Sequence, residues 1–168
     1  MEGNNIRIII TGMLVTSMLL FGCPDYLHGD GILVAMTHHF FHVNMFHLAA
    51  NLLSVWLIFR KGRRYSIAPF VAAYVCATLA WYTTDMPVAG LSNMIFALFG
   101  LRTPSFRDSW WRQRNVIIFV CITAGMAFVP NISGVTHLTS FILGSLCAVV
   151  WRSVKVIRSD YSRASHNL

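Results

Sequence analysis

Long apolar stretches without a single Lys or Arg, separated by four groups of cations, constrain this chain more than any other feature of its sequence. The cations are Arg7; then Arg60, Lys61, Arg63 and Arg64; then Arg102, Arg107, Arg112 and Arg114; and last Arg152, Lys155, Arg158 and Arg163. A soluble domain of this size buries about two-thirds of its surface and keeps a charged exterior. With 56% apolar and only 11% charged residues over 168 positions, this chain has too few charges for such an exterior. A membrane-crossing helix takes about 20 apolar residues, so six of them take about 120 positions. Little is left for a soluble unit, and residues 1 to 168 read as one membrane domain with a core at about 6 to 157 and a polar tail at about 158 to 168.

The apolar runs predict six spans, at about 6 to 22, 43 to 59, 66 to 82, 91 to 101, 115 to 130 and 137 to 151. Six crossings put both ends on one side. With that side inside, all 13 Lys and Arg face inward, and the outer loops hold only Asp25, Asp30 and Asp85. This is the positive-inside distribution. It predicts a multi-pass protein of the inner cell membrane with cytoplasmic N- and C-termini. The net charge of +7, which on a soluble chain would point to nucleic acid, becomes a topology signal, and no nucleic-acid partner is expected. Cys23, Cys76, Cys121 and Cys147 lack the paired spacing of metal fingers or redox motifs and read as small apolar residues. A second reading of the opening segment is a lipoprotein signal ending at Cys23; five later apolar runs favour a first membrane helix.

The fourth span is too short. Residues 92 to 101 cover about 15 Å, half of a hydrocarbon core of about 30 Å. Upstream stand Asp85, Pro87 and Gly90. Irregular backbone at membrane depth needs protein around it or a water-filled cavity, so residues 83 to 91 are expected to dip into the bundle and start a buried helix at Ser92. Polar groups within the membrane mark function. His47 and Asn51, four apart, share a face near the outer end of the second span, and His137 opens the sixth. Taken singly, each has a structural use: Ser92 bonding a backbone carbonyl, His47 and Asn51 joining helices, His137 solvated at the interface. Together, four such groups at one depth match a nucleophile, a base and oxyanion donors.

These residues resemble the rhomboid intramembrane serine proteases. His38, His42, His47 and Asn51 follow the family's HxxxHxxxxHxxxN pattern, Gly90, Leu91 and Ser92 its GxS, and His137 with Gly144 its HxxxxxxG. The resemblance implies an all-α membrane protein, a six-helix rhomboid-like bundle with a short, buried fourth helix. It also implies a Ser-His dyad without an acidic third member, and the predicted spans contain no Asp or Glu. Ser92 would attack the scissile carbonyl, His137 would move the proton, and His47, Asn51 and the Ser92 N–H would hold the oxyanion. Phe96, one turn beyond Ser92, stands where relatives often carry Tyr, and offers a ring for His137 to stack on. Ser140 and Gly144 give a small-residue stripe on the His137 face, with Ala97 and Gly100 on the fourth helix; many relatives have Gly where Ser140 stands. Such stripes permit close helix contact.

His38, His39, His42 and Asn44 read as bracing and as a path for water, with His42 a supporting residue. A metal held by His38 and His42 is a weaker reading, because no carboxylate or Cys accompanies them. No metal and no cofactor are expected. The expected partners are the lipid bilayer and transmembrane protein substrates. Two rival functions remain: a catalytically silent relative that binds client helices, and a metal or haem carrier.

Overall fold

In the computed structural model, residues 1–22, 31–59, 62, 64–85, 88–102 and 133–165 are described. They form α1 (Gly3–Phe21), α2 (Ile32–Thr37), a 3₁₀ turn (His38–Phe40), α3 (Met45–Ile58), α4 (Ala68–Trp81), α5 (Ser92–Arg102) and α6 (Gly134–Ser165). No sheet occurs among the described residues, and the protein is an all-α membrane bundle. The expected fifth span, with Cys23, Cys121 and most of the loop cations, lies outside the described residues.

Local chemistry sets the helix ends. α1 stops at Gly22, whose φ of 70° a side chain would resist. The Asn44 side chain caps α3 by accepting from His47 N–H at 2.8 Å. Pro69 occupies the first turn of α4, where its missing N–H costs nothing. Gly90 turns the chain into α5 with a φ of 99°.

The outer faces are apolar. Ile8, Met13 and Leu19 on α1, Phe46, Leu53 and Trp56 on α3, and Leu138, Ile142, Leu146 and Val150 on α6 are all exposed. A continuous surface of this kind fits lipid and not water. α5 has the opposite character: no residue from Val88 to Leu101 is exposed. Its 11 residues span about 16 Å, so the short, buried fourth helix expected from sequence is present.

Three features differ from the sequence expectation. α3 and α4 have 14 residues each, about 21 Å, below the thickness of a bilayer core. Among the described residues, only Gly3–Phe21 and Gly134–Val154 are by themselves long and apolar enough to cross, and Ile32–Phe40 with Met45–Ile58 makes a third candidate bent by 79°. The second is the segment ahead of α3, which forms α2 and the 3₁₀ turn and buries His38 and His39, with His39 against α4. The third difference lies at the end of α6. The sequence predicts a sixth helix at about 137 to 151, yet the helix runs from Gly134 to Ser165, and the sequence from 145 onward holds no Gly or Pro to stop it.

The backbones of α5 and α6 approach each other closely. A methyl group added at Gly144 would collide with the Ala97 carbonyl oxygen, and one added at Gly100 with that of Phe141. The small-residue stripe of the sequence is therefore where the two helices meet.

Candidate active site

Ser92 is the first residue of α5 and His137 lies in the first turn of α6. The α5–α6 contact brings them together: His137 Nε2 and Ser92 Oγ are 2.8 Å apart, and both residues are buried. The hydroxyl can donate to an unprotonated Nε2 at that distance. His137 Nδ1 is buried with no partner among the described residues. The first turn of α6 is itself held by Ser133, whose carbonyl accepts from Thr136 Oγ1 at 2.9 Å and from His137 N–H at 3.4 Å.

Phe96 lies under the imidazole with ring centroids 4.6 Å apart and planes tilted by 33°. That contact limits rotation of the ring away from Ser92. Gly90 stands against the other two polar candidates. A Cβ on it would come within 2.6 Å of His47 Cε1, 2.8 Å of His47 Nε2 and 3.0 Å of Asn51 Nδ2. The Gly-Leu-Ser segment thus passes His47 and Asn51 at backbone contact, and Asn51 Nδ2 is buried with its hydrogens uncommitted among the described residues. Ser92, His137 and Asn51 are buried and His47 is half-buried, and the segment from Gly90 to Ser92 joins the two pairs, which come from three helices.

The histidines before α3 brace these residues. The His38 carbonyl accepts from Gly90 N–H at 2.9 Å, tying the 3₁₀ turn directly to the GxS segment. The His38 and His39 rings are in contact, with centroids 3.8 Å apart and planes tilted by 43°, and His39 Nε2 is 3.3 Å from Thr78 Oγ1 on α4. Tyr74 donates to the Met36 carbonyl at 2.8 Å, fixing α2 to α4 as well. His42 packs its ring edge-on to His47 with centroids 5.2 Å apart, and neither of its nitrogens has a partner among the described residues. His38 Nδ1 faces the Ala35 carbonyl at 2.8 Å and Nε2 faces Asn93, so this ring is committed to hydrogen bonds and not to a metal shared with His42. No group of three or more His, Cys, Asp or Glu suited to a metal occurs among the described residues.

Sequence reasoning missed Asn93. It is fully buried, and its Nδ2 is 3.5 Å from His38 Nε2. The signal was present, since an amide inside a short apolar helix needs a partner, but the adjacent Ser92 absorbed it.

A family model described as "Rhomboid domain" matches residues 31–153, well over half of the chain and all of the site residues above. No curated protein matches the chain.

Proposed function

The chain belongs to the rhomboid family, and from that premise we propose that it is an intramembrane serine endopeptidase that cuts transmembrane proteins near their outer membrane boundary. The observation that carries this reading is the 2.8 Å approach of Ser92 Oγ to His137 Nε2 in a buried site. In the proposed reaction Ser92 Oγ attacks the scissile carbonyl carbon while its proton passes to His137 Nε2. His47, Asn51 and the Ser92 N–H hold the resulting oxyanion. On collapse the C–N bond breaks, the leaving amine takes the proton from His137, and an acyl ester remains on Ser92. Water, deprotonated by the same imidazole, then hydrolyses that ester and regenerates both residues.

The positive N-terminal end of α5 favours charge building up at Ser92. Burial strengthens each donor to the oxyanion, where one well-aimed group is typically worth about 10² to 10³ in rate. Family likeness favours a small residue on the N-terminal side of the cut and a substrate helix that unwinds easily. The proposed setting is the inner cell membrane with both ends cytoplasmic and the site open to the outer side.

The test is cleavage of a single-span substrate by purified protein in detergent. The wild-type protein cuts once near the outer boundary, and Ser92→Ala and His137→Ala each abolish cutting. Unchanged cleavage by either variant removes the mechanism. Labelling of Ser92 by a fluorophosphonate separates a protease from a silent client-binding relative, which would not react.

A further inference from the structure

Two buried polar atoms beside the site have no partner among the described residues: Asn93 Oδ1 and Ser140 Oγ. Contacts above and below them place both at the same part of the α5–α6 seam. Above, Ser92 meets His137; below, Ala97 meets Gly144. Between these contacts α5 contributes Asn93, Met94, Ile95 and Phe96, of which Asn93 alone is polar. In the matching stretch of α6, Ser140 is the one buried polar residue; Thr139 is only partly buried and lies 3.5 Å from Thr83 Oγ1.

The orientation of Asn93 is set from its far side. A carbonyl oxygen only accepts, so His38 Nδ1 must donate to Ala35. Nε2 of that tautomer is an acceptor, and the group facing it is the Asn93 amide nitrogen. The Asn93 oxygen is thereby directed away from His38 and needs a donor. Ser140 supplies a hydroxyl on the neighbouring helix, and a buried hydroxyl is disfavoured without a partner.

We propose that one buried water bridges Ser140 Oγ and Asn93 Oδ1, accepting from the hydroxyl and donating to the amide oxygen, so that His38, Asn93 and Ser140 form a polar bridge joining the 3₁₀ turn, α5 and α6. Its place one step below the dyad makes Asn93 and Ser140 positioning residues, which fix the approach of His137 to Ser92 without touching substrate. The kinetic part of this inference rests on the proposed function, whereas the bridge itself does not.

The experiment is a double-mutant cycle on the full chain in detergent, with wild type, Ser140→Ala, Asn93→Ala and the double variant read by cleavage kinetics and by melting temperature. Ser140→Ala is expected to lower kcat about fivefold at unchanged KM, and to have no further effect once Asn93 is Ala. Equal effects of Ser140→Ala in both backgrounds, or none in either, overturn the bridge. Coupling in melting temperature with kcat untouched overturns the positioning role. Should Asn93→Ala not accumulate, Asn93→Asp keeps the acceptor oxygen, and there Ser140→Ala must still lower kcat. A wild type that neither cuts substrate nor labels with fluorophosphonate refutes the proposed function alone, and the melting-temperature cycle then decides the bridge by itself.

Discussion

At the scale of single residues, Gly90 has least freedom to change. Its φ of 99° disfavours any side chain, and a Cβ would press on His47 and Asn51. Gly90→Ala combines a backbone cost of about 1–2 kcal/mol with displacement of two proposed oxyanion donors. It is expected to lower kcat by about 10² or more, read in detergent kinetics. Asn51→Ala removes one donor and leaves the backbone alone, so kcat should fall about 10² to 10³ with KM little changed. An equal loss in KM and none in kcat would move Asn51 from oxyanion binding to substrate binding. His47, Asn51, Ser92 and His137 were legible because each is a polar group in an apolar run, at a spacing that sets its face. Asn93 and the bond from Gly90 N–H to the His38 carbonyl were not. The first stands beside a more conspicuous serine, and the second is a backbone contact between residues far apart in sequence, which no local pattern encodes.

At the scale of elements, the α5–α6 seam carries the site. Gly144 meets the Ala97 carbonyl and Gly100 meets that of Phe141, so volume added at either must push the helices apart. Gly144→Val is expected to destabilise the protein by about 1–3 kcal/mol and to lower cleavage sharply. Thermal unfolding in detergent checks the first effect, and kinetics on the folded fraction the second. A variant with normal stability and normal rate would show that this contact does not set the Ser92–His137 distance. The shortness of α5 could be read directly from Arg102 following ten residues after Ser92. The 3₁₀ turn at His38–Phe40 could not, because its histidines are stabilised by burial against α4 and α5 and show no helical or strand period. The run of α6 to Ser165 was missed for a related reason: the change from apolar to charged residues marks where lipid is expected to end, and only Gly or Pro would mark where the helix ends.

At the scale of the whole molecule, burial is arranged for lipid. Apolar residues cover the outer faces of α1, α3 and α6, while His38, His39, His42, Asn93, His137 and Ser140 are enclosed. Composition alone revealed this inversion, since so low a charge content cannot cover a water-facing surface. The side on which each end lies came from cation placement, and it has a direct check. In a Cys23→Ser background, a membrane-impermeant thiol reagent should label Asp85→Cys in intact cells and Gly62→Cys only after lysis. The reverse pattern would invert the proposed topology and put the site on the inner side.

The central claim is that His137 activates Ser92. Intact-mass analysis of the purified protein after fluorophosphonate treatment tests it most directly. The expected result is one adduct, located on Ser92, in the wild type, and none in Ser92→Ala or His137→Ala. An adduct formed equally in His137→Ala, or carried by a different residue, would contradict the account.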